Sequence, residues 1–264
     1  MKNSRYLAFK LWFVIFAVIG LQSCSEDENT PGTSEDFTQT ELQTVLETDK
    51  IASTVDTVLA EIFLNDTTAG KSFSSSDDCY SAEFSQTGFV VSFNNCTING
   101  TDDINGNLTI TYAAENESSV FTATYADFYV GNLKINGTRN YVLTNAPDQN
   151  TVSFTVTSSM TVETEVGTLV TESGTKTFSF NFGDTLGSST FSLSGNWKVE
   201  ANGTTYMVET VDDLKGSLTC EHLIGGSMNV DKNGFIINVD FGEGQCDNQA
   251  TITLPDGESQ EVTF

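Results

Sequence analysis

From about residue 89 onward, apolar side chains recur at every second position, and no other feature limits the fold so strongly. Val152, Phe154 and Val156 alternate with Ser and Thr, as do Phe178, Phe180 and Phe182, and later Phe235, Ile237, Val239 and Phe241. A period of two sends successive side chains to opposite faces of a strand, so each segment has one buried and one wet face, as antiparallel sheets require. Asn99-Gly100, Asn105-Gly106, Asn136-Gly137, Asn202-Gly203, Asn233-Gly234 and Asp256-Gly257 punctuate these runs. Asn-Gly and Asp-Gly pairs supply the positive φ angles of tight hairpins. The expectation is about a dozen or more strands joined by short turns, without βαβ crossovers. The predicted fold is all-β: an antiparallel meander forming a large curved sheet, a sandwich or an open barrel. With 19 Phe, 7 Tyr and 2 Trp the chain has enough apolar material for a core despite its charge of −25.

A weaker echo accompanies the alternation. Gly106-Asn107-Leu108, Gly131-Asn132-Leu133, Gly195-Asn196-Trp197 and Gly226-Ser227-Met228 each place glycine before a small polar and an apolar residue. Their spacing is irregular, so no solenoid or propeller period follows. Turn glycines leading into strands account for the pattern. Before the strands, Thr38-Gln39-Thr40-Glu41 fits a capping box, and Leu42, Val45 and Leu46 begin an apolar face at helical spacing. The face resumes at Ile51, Val55, Val58, Leu59, Ile62 and Phe63 after an expected break near Asp49, and Asn65-Asp66 with Gly70 ends it. This region is expected to cover the core of the sheet.

The first residues carry an address. Lys2, Arg5 and Lys10 precede an apolar run from Leu11 to Leu21, and Leu21-Gln22-Ser23-Cys24 closes it. This is a secretory signal peptide whose cleavage site ends in cysteine. The run is too short for a transmembrane helix. The motif resembles the lipobox of bacterial lipoproteins, which implies acylation of the Cys24 thiol and a membrane anchor. Removing the signal leaves 8 bases against 36 acids, a charge of −28. Such a surface repels nucleic acid and anionic headgroups, so no nucleic-acid partner is expected. Ser25 to Asp36 is polar, acidic and broken by Pro31-Gly32, a tether reaching at most about 40 Å. Its Glu26-Asp27-Glu28 resembles the acidic export signal of surface lipoproteins in the Bacteroidota, which implies the outer membrane, facing the exterior.

The expected organisation is therefore a signal peptide over residues 1–23, a lipidated tether over 24–36, a helical region over 37–70 and a β domain over 71–264, with a sub-boundary near 201–215. Four cysteines remain beside Cys24. Cys79 and Cys96 are 17 residues apart, and Cys220 and Cys246 are 26 apart. Short loops close most easily, so the expected pairs are Cys79–Cys96 and Cys220–Cys246. An exported setting permits disulfides, and CxxC spacing that would indicate a metal is absent.

Two further stretches carry a resemblance. Phe128-Tyr129-Val130-Gly131-Asn132-Leu133-Lys134-Ile135-Asn136-Gly137-Thr138-Arg139 resembles an NFYVNGNKIxGTR-like segment, and Val239-Asp240-Phe241-Gly242-Glu243-Gly244-Gln245-Cys246-Asp247-Asn248 resembles a VDFGDGTCDN segment. Together with the lipobox they are similar to a family of uncharacterised Bacteroidota lipoproteins, over roughly Cys79 to Phe264, with departures at Glu243 and Gln245. The resemblance implies an exported β-rich lipoprotein and brings no activity or catalytic residues.

Chemistry is sparse. Asp240, Glu243, Asp247 and Asn248 crowd around two glycines and form a calcium candidate, with a stapled structural turn as the alternative. His222 is the single histidine, and neither GxSxG nor HExxH accompanies it. Asp56-Thr57-Val58, Asp66-Thr67-Thr68 and Asp184-Thr185-Leu186 resemble O-glycosylation sites of Bacteroidota exported proteins, Thr67 being the best candidate. No cofactor and no catalytic residue is assigned. The expected function is non-enzymatic binding of an unknown surface ligand or protein partner. A carrier of a lipid or other hydrophobic ligand in a sheet cavity is one alternative, and a carboxylate-based glycan hydrolase is another.

Overall fold

A computed structural model describes residues 37–65, 79–98, 101–114, 117–144, 151–181, 183, 188–217, 219–220 and 222–264. The expected signal peptide and acidic tether, Cys24, Asn99-Gly100, Thr67 and Thr185 lie outside them. Among the described residues one helix, α1 (Gln39–Asn65), precedes thirteen strands. These are β1 (Tyr80–Ser85), β2 (Gly88–Ile98), β3 (Thr101–Ala114), β4 (Glu117–Val130), β5 (Leu133–Thr144), β6 (Thr151–Glu163) and β7 (Leu169–Asn181). They continue as β8 (Thr190–Ala201), β9 (Thr204–Ser217), β10 (Gly225–Lys232), β11 (Phe235–Glu243), β12 (Gln249–Thr253) and β13 (Ser259–Thr263). All thirteen form one antiparallel sheet in strict sequence order, open between its edge strands β1 and β13. Of the architectures expected, the open sheet is the one adopted. The stretch 201–215, expected to hold a sub-boundary, lies in the β8–β9 hairpin and β9, paired from Ala201↔Thr204 onward.

The helix begins as its sequence dictates. Thr38 Oγ1 accepts the Glu41 N–H at 3.2 Å while Glu41 Oε2 accepts the Thr38 N–H at 2.9 Å, the reciprocal bonds of a capping box. It then runs without the expected break at Asp49, because that side chain points at the sheet and finds a cation there. Leu42, Val45, Ala52, Val55, Val58 and Leu59 are buried against the inward side chains of the strands. The opposite sheet face carries hydroxyls paired across strands, such as Ser153 with Ser179 at 2.9 Å and Thr155 with Thr177 at 3.2 Å.

The glycine pattern means something other than turns. Asn202-Gly203 and Asn233-Gly234 do make hairpins, with positive φ at both residues. Asn105-Gly106 and Asn136-Gly137, expected as hairpins, instead lie inside β3 and β5. There the asparagine serves the neighbouring strand: Asn105 Oδ1 accepts the Asn95 N–H at 2.7 Å, and Asn136 Oδ1 accepts the Asp127 N–H at 2.9 Å. Asn95 and Asp127 have positive φ where the register slips, so these bonds occupy the amides that bulges withdraw from the ladder. Of the echo glycines, Gly106, Gly195 and Gly226 sit at register shifts within strands, and Gly131 alone is in a turn.

Both cysteine pairs form as spacing suggested. Cys79 and Cys96 lie at 5.1 Å between Cα atoms, and Cys220 and Cys246 at 5.8 Å. The first ties β1 to β2, and the second ties the segment after β9 to the segment after β11.

Gly174, in β7, has φ +150°, and a Cβ there would stand 2.4 Å from Trp197 Cα. Gly174→Ala should therefore destabilise the protein by about 1–3 kcal/mol from backbone strain alone, with crowding added. Gly203→Ala, in a turn with open space where a methyl group would point, should cost about 1–2 kcal/mol. Urea melts of the two variants check the order.

Candidate functional site

Alternation predicts an inward side chain at every second strand position, and at a few of these the residue is charged. Arg139 stands two residues before Tyr141 on β5, and Glu172 and Lys176 share their phase with Phe178 on β7. All three are buried. Helix α1 brings carboxylates to meet them. Glu41, Asp49 and Asp56 follow one another by eight and seven residues, which places them along one side of a helix.

Arg139 Nη2 donates to Asp56 Oδ2 at 2.8 Å, and its Nε donates to the Tyr141 hydroxyl at 3.1 Å. Tyr141 in turn donates to Asp56 Oδ1. Lys176 Nζ pairs with Asp49, stands 3.1 Å from Glu172 Oε2, and lies 4.5 Å from the centre of the Trp197 ring. Glycine makes the room: Gly174 faces Trp197 and Gly195 faces Lys176 across adjacent strands. Near the start of the helix, Lys232 Nζ pairs with Glu41 Oε1 at 2.7 Å, and the Tyr206 hydroxyl donates to the same oxygen at 3.1 Å. Thus β5, β7 and β10 each hold the helix at one point.

The central group of Asp49, Asp56, Glu172, Arg139 and Lys176 has three carboxylates for two cations. Glu172 is held by charge alone, 3.1 Å from Lys176 and 3.9 Å from Arg139 with neither contact in hydrogen-bond geometry. Burial pushes the Asp56 carboxyl above its ordinary range, outweighing the pull of Arg139 and the Tyr141 hydroxyl. Glu41 goes the other way. Its partial burial raises the carboxyl, but Lys232, Thr38 and Tyr206 together lower it to about 2. Burial and the same contact push Tyr206 up to about 12.

Beside this lattice, on the flank of α1, lies a cavity of about 340 Å³. Phe178, Phe191, Leu193 and Phe241 give it an apolar sheet wall, with Leu46, Leu223 and Phe264 closing the sides. Gln43, Glu47, Asp49 and Lys50 border it on the helix, and His222, Asp247, Asn248 and Gln249 border it from the chain around the Cys220–Cys246 bond. Asn248 Nδ2 donates to the Phe264 carbonyl at 3.2 Å, which holds that ring's backbone against the opening.

No family model matches this chain. Neither a curated protein nor a solved structure resembles it significantly.

The expected sites fare unevenly. The calcium candidate does not assemble: Asp240 Oδ1 accepts the Gly242 N–H inside β11, and Asp247 Oδ1 accepts the Gln249 N–H beyond that strand. Among the described residues no three His, Cys, Asp or Glu side chains converge as a metal site would need. Asp240 and Glu243 belong to β11, while Asp247 and Asn248 follow Cys246, whose bond to Cys220 ties this segment down. His222 lines the cavity mouth together with Asp247. Of the first glycosylation match, Asp56 pairs with Arg139 and Val58 is buried. Sequence reasoning missed Arg139, Glu172 and Lys176 entirely, although charge in the inward phase of a strand was a readable signal.

Removing one partner of a buried pair strands the other. Arg139→Met should cost about 3–5 kcal/mol, whereas Arg139→Met with Asp56→Leu should recover at least half of the loss, by urea melts. The pH dependence follows from Glu41, whose folded pKa is depressed. Its contribution is fully present above the ordinary 4.5 and is lost as pH falls toward about 2. Asp56, whose pKa is raised, opposes folding when ionised and ceases to do so as it protonates. Stability should thus fall steeply only below about pH 4.5, and Glu41→Gln should flatten that acid limb in Tm measured against pH.

Proposed function

We propose that this chain is an exported, lipid-anchored binding protein without enzymatic activity, which holds a small, largely apolar ligand in the cavity beside α1. The observation that carries the reading is the cavity itself. Its volume of about 340 Å³ falls in the range of small-molecule sites, roughly 300–1,000 Å³. Its lining joins aromatic and aliphatic side chains with polar ones, the usual division between affinity and orientation. A wall made by a helix on one side and a disulfide-closed segment on the other keeps that space from collapsing. The lipobox ending at Cys24 and the acidic Glu26-Asp27-Glu28 support an outer-membrane location facing the exterior. The resemblance to Bacteroidota lipoproteins supports the same place.

Binding is tested with Nile red, an uncharged apolar dye. The folded protein should bind it saturably, one per chain, with a fluorescence gain. Leu223→Trp, which fills the cavity from its half-buried edge, should weaken binding at least tenfold while leaving the thermal melt within a few degrees. A wild-type protein that gives no saturable signal overturns the reading. The anchor is tested separately: Cys24→Ala should abolish metabolic fatty-acid labelling in the native host. Protease added to intact cells should cut the wild type; digestion only after lysis would place it in the periplasm instead.

A further inference from the structure

The chemistry of the cavity wall narrows the ligand class beyond "apolar". Four phenylalanines, Phe178, Phe191, Phe241 and Phe264, line one small volume. Three carboxylates share the same border: Glu47 and Asp49 from the helix, and Asp247 from the opposite side. Asp49 is matched by Lys176 behind it. Lys50 is the one lysine or arginine among the lining residues, and it sits three positions from Glu47 on the exposed side of the helix. One carboxylate is therefore left over at the mouth, and Asp247 keeps an oxygen beyond the one that accepts the Gln249 N–H. The whole chain adds a field of −25.

We infer that the occupant is a small organic cation: an ammonium group on an aromatic or aliphatic body. This rests on the binding function proposed above. The body would fill the space against Leu193 and the phenylalanines. The ammonium would lie at the mouth, within reach of Asp247 and Glu47 and close to ring faces, where a cation is attracted by both. A fatty acid or organic phosphate of the same size meets the opposite situation. Its charge enters a negative field, with only Lys50 and the His222 ring among the lining cations and imidazoles to receive it, and that lysine beside a glutamate. Association of an amine is also steered by the charge of the chain, an effect that salt weakens.

The experiment uses three probes with one body and different heads: 1-naphthylmethylamine, 1-naphthalenemethanol and 1-naphthoate, titrated calorimetrically at pH 7 and low salt. The amine should bind at least tenfold more tightly than the carboxylate, with the alcohol between, and the amine's advantage should shrink at about 0.5 M salt. Glu47→Gln with Asp247→Asn should bring amine and carboxylate to within threefold of each other; asparagine at 247 still accepts the Gln249 N–H, so the turn is kept. If the alcohol binds but the carboxylate equals or exceeds the amine, the inferred head group is wrong and the cavity stands. If the amine preference survives the double variant, the carboxylates are not its cause and the assignment fails. If none of the three binds to protein that melts cooperatively, the cavity is not a ligand site and both readings fall together.

Discussion

Contact between α1 and the sheet is fixed by charge at three places, and the arrangement of the inner face depends on it. Burial of apolar surface has no direction. A helix with a continuous apolar stripe could lie on a wide apolar sheet in several orientations, sliding or reversed, at similar gain. Glu41, Asp49 and Asp56 meet Lys232, Lys176 and Arg139 in one orientation only. Taking those groups from water costs free energy that their pairing only partly offsets, so the lattice is a poor source of stability. Its effect is on position. A displacement of one turn would leave buried ions on both sides without partners, which is far more costly than losing a few methyl contacts.

The cavity inherits that precision. Its helix wall consists of Gln43, Leu46, Glu47 and Lys50, residues on the flank of the same helix whose other side carries the ion pairs. Asp49 belongs to both, bordering the opening while paired with Lys176. The far wall is fixed independently, by the Cys220–Cys246 bond and the hold of Asn248 on the Phe264 carbonyl. A space between two walls, each held by its own covalent or ionic constraint, persists where a gap in an ordinary apolar core would close.

Much of the fold was legible because two periods dominate the sequence. Alternation at Val152–Val156 and at Phe178 and Phe180 gave strands, and short turns gave the meander; the capping box at Thr38 gave the helix start. Asn105-Gly106 and Asn136-Gly137 misled because the same dipeptide suits a hairpin and a bulge-bearing strand, and only the neighbouring strand's register tells them apart. Asp49 looked like a helix breaker because its partner, Lys176, lies 127 residues away. The candidate site was hidden for the same reason. Leu46, Leu193, Leu223 and Phe264 carry no mutual signal in sequence, since a cavity is defined by where packing stops. Asp240 and Asp247 suggested a metal because crowded carboxylates look alike whether they converge on an ion or each bind the nearest amide.

The strict order of the sheet has a kinetic consequence. Every strand pairs with its sequence neighbour, so closure of each hairpin costs only a short loop, and the sheet can zip one hairpin at a time. The helix is the exception. Although it is made first, its contacts span 83 residues to Arg139, 127 to Lys176 and 165 to Tyr206. It cannot be received until β5 through β10 stand side by side. During synthesis the amphipathic segment must therefore wait, with its apolar stripe uncovered, for the last third of the chain. An early helix with a late berth is where this otherwise local fold is most open to capture by chaperones or by other copies of itself.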